Sequence, residues 1–122
     1  MSDSPKKRPE REWRLYLLDM IHYIEKAMSY TKGVSRDEFE TNELIYDATV
    51  RNLELIGEAA TNIPQFVRDQ APHVPWRQII ATRNKLIHGY AGIDNDILWS
   101  IIKNDMSDLL GKLNELKNMI PR

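Results

Sequence analysis

Two long stripes of apolar residues, one towards each end of the chain, restrict what it can fold into. From Glu10 to about Tyr30 the residues Trp13, Leu17, Met20, Ile21, Ile24 and Met28 recur at steps of three and four, which places them on one face of a helix. A comparable stripe, Leu98, Ile101, Ile102, Leu109, Leu113 and Leu116, runs through Asp96 to about Asn118. Faces of this length must be buried against other helices. The chain between them supplies the partners. Asn42 to Asn62 carries Leu44, Ile45, Ala48, Leu55, Ile56, Ala59, Ala60 and Ile63, and Trp76 to about His88 carries Trp76, Ile79, Ile80, Leu86 and Ile87 as core candidates. The expected fold is all-α, an antiparallel up-down bundle of four main helices plus short helical turns.

The boundaries are written in local chemistry. Thr31-Lys32-Gly33 ends the first helix with a glycine suited to a left-handed cap. Ser35 followed by Glu38 is a capping-box pattern, opening a segment that can run on with a kink into the Asn42 helix. Pro64 starts a short turn through Gln70, and Pro72 to Pro75 is a connector in which helix cannot continue. Gly89 is expected to end the fourth helix, and Asp94 or Asn95 to cap the last. Gly57, inside a helix, costs about 1 kcal/mol relative to Ala. Its use there predicts the close passage of another backbone, from the first helix or from a partner subunit.

Residues 1–9, with Lys6, Lys7 and Arg8 between prolines, read as a flexible basic tail, and residues 10–122 as a single domain. Met1 to Arg11 has no apolar core of a signal peptide, and no apolar run approaches the roughly 20 residues that span a bilayer; neither secretion nor membrane insertion is expected. The absence of cysteine removes disulfides and thiolate zinc sites, so a reducing cytoplasm is the expected setting.

A net charge of −1 hides an asymmetry. Between Ser35 and Glu58 the acids Asp37, Glu38, Glu40, Glu43, Asp47, Glu54 and Glu58 outnumber Arg36 and Arg51, whereas Gln65 to Tyr90 has Arg68, Arg77, Arg83 and Lys85 against Asp69. A local basic surface can attract phosphate, and equally can be a solvated face of ordinary ion pairs.

Unusual chemistry concentrates in Arg83-Asn84-Lys85-Leu86-Ile87-His88-Gly89-Tyr90, where a cation, an imidazole and a phenol share the end of one helix. Metal-free RNA cleavage needs a base for the 2′-hydroxyl proton, an acid for the departing 5′-oxygen and a cation for the phosphorane charge. Arg83 and His88 are five residues apart, about 140° around an ideal helix, so one straight helix does not aim both at one point. They converge if the helix loosens near Gly89, if Arg83 reaches around the surface, or if a symmetric dimer brings two segments face to face. The plain alternative makes Arg83 an ion-pair partner and His88 a helix C-terminal residue interacting with the dipole. His22 and His73 are weaker candidates, and Trp13, Trp76 and Trp99 read as core anchors rather than stacking platforms. The three histidines lack metal-site spacing, and HExxH, Walker and dinucleotide motifs are absent, so no metal or cofactor is expected.

This segment matches the R-x4-H-x-Y signature, and the chain resembles the HepT-like toxins of the HEPN superfamily. Arg51-Asn52-Leu53-Glu54-Leu55-Ile56-Gly57-Glu58-Ala59-Ala60 is similar to that family's Asn-Leu…Gly-Glu-Ala segment, and Pro75-Trp76 through Ile80 to the approach to its motif. The resemblance implies a HEPN bundle that forms a homodimer, or a higher oligomer, with a composite endoribonuclease site acting on RNA. Arg83 and His88 match the catalytic pair, and Asn84 the polar position that orients substrate or the facing motif. Tyr90 matches the tyrosine modified with AMP by a cognate minimal nucleotidyltransferase, the MntA-like antitoxin. A non-catalytic nucleotide-binding or docking subunit of such a nucleotidyltransferase is the alternative from another class, and a structural dimerisation module a third.

Overall fold

The computed structural model describes residues 9–89 and 94–120. The expected tail lies outside them apart from Pro9, which begins the first helix. In order the elements are α1 (Pro9–Thr31), α2 (Arg36–Thr41), α3 (Glu43–Ala60), α4 (Gln65–Arg68), α5 (Trp76–Gly89), α6 (Asn95–Ser100), a π-helical stretch (Ile101–Asp105) and α7 (Met106–Met119). The described residues form helices and no strand, as the apolar periodicity predicts. α1 packs along α3, with α5 on α3 and α7 on α1. Trp13, Leu17, Met20, Ile24, Ile56, Ile63, Leu98, Leu113 and Leu116 are among the buried residues that fill the space between them.

The expected boundaries at Gly33, Ser35 and Asp94 hold. Gly33 adopts φ +73°, the left-handed conformation that a side chain disfavours. The Ser35 hydroxyl accepts from the Glu38 backbone N–H at 3.1 Å, and the Asp94 carboxylate accepts from Ile97 N–H at 2.9 Å. Instead of a kink between Ser35 and Asn62 there is a break. Asn42 is extended, its N–H donates to the Glu38 carbonyl at 2.9 Å, and its side chain accepts from Ile45 N–H at 3.1 Å. One residue thus closes α2 and caps α3.

Two apolar residues expected inside lie outside: Leu44 is 80% exposed in the first turn of α3, and Ile87 is 44% exposed near the end of α5. The last helix is also not a single α-helix, because Ile101–Asp105 widens into a π turn. The buried face nevertheless continues across it, with Leu98 before, Ile102 within and Met106, Leu113 and Leu116 after; Met106, which the expected stripe left out, falls four residues from Ile102 and three from Leu109, on the same helical face.

A small cluster holds α2 against the start of α6. Phe39, fully buried, sits between Tyr46 and Trp99, with ring centroids 5.0 and 5.7 Å away. Arg36 pairs with Glu40 at 2.6 Å and with Asp96. The Tyr46 hydroxyl donates to Asn95 Oδ1 at 3.0 Å. Burial, aided by the carboxylates of Glu40 and Asp47, pushes the Tyr46 pKa upwards, so it remains a donor. These contacts hold the start of α6 against α2 and α3.

Candidate active site

α5 is set in place from its first residue. The Trp76 indole Nε1 donates to the Ala71 carbonyl at 3.0 Å, tying the helix start to the proline-bounded connector. Leu86 is buried, and Ile79 and Ile80 are half-buried against the core. The helix then continues in α conformation through Gly89. The 140° offset between Arg83 and His88 therefore stands, with about 7.5 Å between them along the axis at 1.5 Å per residue.

Arg83 lies at the α3–α5 contact, and Gly57 is what admits it. A Cβ on Gly57 would overlap Arg83 Cβ outright, and would sit 2.9 Å from its Cγ and 3.2 Å from the Ile79 carbonyl oxygen. The close backbone predicted from this glycine is thus α5, rather than α1 or a second chain. From there the guanidinium is held at both terminal nitrogens. Nη2 donates to Glu58 Oε1 at 3.0 Å and Nη1 to Asn84 Oδ1 at 2.8 Å. Nε is buried and has no partner among the described residues, an unusual state for a buried donor. The side chain keeps 23% of its surface open to solvent.

His88 is exposed in the last turn of α5, where a cation suits the helix dipole, and it has no hydrogen-bond or ion-pair partner among the described residues. Tyr90 lies outside the described residues. His22 is exposed on α1 rather than turned to the core, and His73 is 3.7 Å from Glu115; neither approaches the motif by any described contact. Trp13 and Trp76 are buried as expected, while Trp99 is half-buried.

The charge asymmetry is partly internal. Arg68, half-buried, donates to the carbonyls of Ile63 at 2.9 Å and Ala60 at 3.1 Å, just beyond and at the end of α3. Arg83 meets Glu58. Arg77 and Lys85 remain exposed. A cleft of about 400 Å³ behind α5 is lined by Leu53, Ile56, Ile79, Thr82, Met106 and Leu109 among others, and neither Arg83 nor His88 reaches its lining. Among the described residues no three His, Cys, Asp or Glu side chains cluster in a way that could hold a metal ion, and no helix is long and apolar enough to cross a membrane.

The motif is legible in the sequence, whereas Glu58, one of seven acids between Ser35 and Glu58, is not distinguished there from a solvated acid. The available signal was its position beside Gly57, the residue that already marked a close approach.

Comparison with known proteins places this geometry in context. A family model described as Ribonuclease HepT-like matches residues 20–116. The chain is 36% identical over 101 residues to "Putative RNase MJ1216" of Methanocaldococcus jannaschii, covering 83% of this chain and 84% of that protein. It is 38% identical over 97 residues to "Putative RNase MJ1380" of the same organism, covering 80% and 89%. To "Probable ribonuclease HepT" of Thermococcus cleftensis it is 36% identical over 108 residues, covering 88% and 98%. No solved structure matches the chain significantly.

Proposed function

The chain belongs to the Ribonuclease HepT-like family, and from that membership we propose that it is the toxin of a toxin-antitoxin pair, a metal-independent endoribonuclease whose active site is completed by a second copy. The observation that carries the reading is an uninterrupted α5 with Arg83 fixed against α3 and His88 exposed about 140° away. Of the three routes to convergence, loosening near Gly89 and a free reach by Arg83 both lose ground to this geometry. Two chains placed face to face supply two imidazoles and two guanidinium groups in one cleft.

In that cleft one His88 takes the 2′-hydroxyl proton as the 2′-oxygen attacks phosphorus. The bond to the 5′-oxygen breaks, and the other His88 gives that oxygen a proton. Arg83 stabilises the extra phosphorane charge with directed N–H donors, and Asn84 orients substrate or the facing motif. The products are a 2′,3′-cyclic phosphate and a 5′-hydroxyl. Cleavage is expected to persist in EDTA and to leave cyclic phosphate ends detectable by mass spectrometry. A strict metal requirement, or equal cleavage of DNA, would defeat the reading.

Regulation rests on the same chemistry. AMP attached to Tyr90 by a minimal nucleotidyltransferase antitoxin would set a phosphodiester anion and an adenine two residues from His88, competing with RNA phosphate for the same cations. A Tyr90→Phe protein is therefore expected to stay toxic when the nucleotidyltransferase is co-expressed. Full neutralisation of that variant would remove tyrosine modification from the account.

The Arg83–Glu58 ion pair favours one second reading, a non-catalytic docking subunit in which Arg83 is structural. Absence of RNA cleavage by the purified wild-type protein would select it.

A further inference from the structure

Glu58 is the neighbour of Gly57 on α3, and the two residues act on Arg83 in sequence. The missing Cβ of Gly57 lets Arg83 leave α5 directly against α3; one residue on, the Glu58 carboxylate accepts from Nη2 at 3.0 Å while Asn84 takes Nη1 at 2.8 Å. A guanidinium has five N–H donors in a rigid plane. Bracketed in this way, and with Nε buried, Arg83 retains one N–H on each terminal nitrogen for an incoming phosphate.

Resting on the ribonuclease reading above, we propose that Glu58 is a positioning residue, which holds the Arg83 guanidinium at its Nη2 edge so that the two remaining terminal N–H groups meet the phosphorane oxygens in a fixed orientation. Glu58 is 59% exposed, and an ion pair open to water on one side adds little to folding, so stability alone is a poor reason for the contact. Its negative charge also opposes RNA binding at a distance. What it supplies is pre-organisation: donors held before the charge develops act more strongly in the transition state than donors that must first be ordered. Removing Glu58 should consequently lower turnover while leaving RNA binding equal or tighter, a combination that loss of fold does not produce.

The experiment compares full-length wild type, Glu58→Ala and Glu58→Gln in RNA cleavage, with folded fraction measured by circular dichroism and Arg83 side-chain nitrogens monitored by NMR, assigned with Arg83→Lys. Glu58→Ala is expected to lose about 10- to 100-fold in kcat with KM unchanged or lower. Glu58→Gln should recover most of that loss, because its amide oxygen accepts the same N–H. Two resolved Nη signals in wild type should merge in Glu58→Ala. An unchanged kcat in folded Glu58→Ala, or a loss that tracks only the folded fraction, overturns the proposal. Wild type that cleaves no RNA defeats the ribonuclease reading by itself; the Nη signals then still decide whether Glu58 holds Arg83, since merged signals already present in wild type overturn the holding and resolved ones that merge in Glu58→Ala support it.

Discussion

His88→Ala is expected to lower RNA cleavage by about 10²- to 10⁴-fold, the contribution of a positioned acid or base, and to abolish growth inhibition. Fold and assembly should survive, because His88 is exposed in the last turn of α5 and has no partner among the described residues. Truncating it opens no cavity and strands no buried group; surface changes of this kind stay within about 0.5 kcal/mol. Only the favourable meeting of a cationic imidazole with the helix C-terminus is lost, and then only when the ring is protonated. Single-turnover cleavage, circular dichroism and size-exclusion chromatography on the same preparation check the three parts. Undiminished cleavage would take His88 out of the mechanism.

Gly57→Ala is the second substitution with a large effect, and here two contributions oppose each other. Alanine improves helix propensity by about 1 kcal/mol. Against this, the new methyl overlaps Arg83 Cβ, an atom fixed to the α5 backbone that cannot rotate aside, and crowds the Ile79 carbonyl. Carbon atoms pack at roughly 3.5 to 4 Å, so α5 must shift away from α3 by about an ångström or more. Overpacking of this kind costs about 1–3 kcal/mol and also loosens a contact that buries Ile56 and Leu86. The net expectation is destabilisation of up to about 2 kcal/mol, with Tm lowered by roughly 4 °C per kcal/mol in a domain of this size. Cleavage should fall further than stability, since a displacement of about 1 Å can cost 10²-fold. Gly111→Ala supplies the contrast: nothing lies within 4 Å of its Cβ position on α7, so the same change should raise Tm. Equal responses at the two positions would show that propensity, rather than the α5 contact, governs Gly57.

The four main helices were legible because their apolar stripes repeat over many turns, and their ends because Gly33, Ser35 and Asp94 act through contacts within a few residues. What local pattern does not encode is which neighbour an apolar position meets. Leu44 keeps the helical period of α3, yet at the helix's first turn it stays in solvent; Ile87 does the same near the end of α5. The π turn at Ile101–Asp105 has no turn residue to announce it. At the site, Arg83 and His88 were found from their chemistry, and Gly57 announced a close approach without saying to what. Glu58 escaped because its importance is tertiary: one acid in seven becomes distinctive only when α5 is laid on α3. Tyr90 was marked by the signature and lies outside the described residues.

Sharing of the site between chains can be measured directly. Wild-type and His88→Ala chains carrying different tags can be co-refolded in varying ratios, and the cleavage rate measured against the wild-type fraction at constant total protein. If each site needs His88 from both members of a symmetric pair, activity scales as the square of that fraction, and an equal mixture keeps roughly a quarter of the wild-type rate. A rate that falls in simple proportion, with roughly half remaining in the equal mixture, would mean that one His88 suffices for each site and would contradict the two-histidine arrangement.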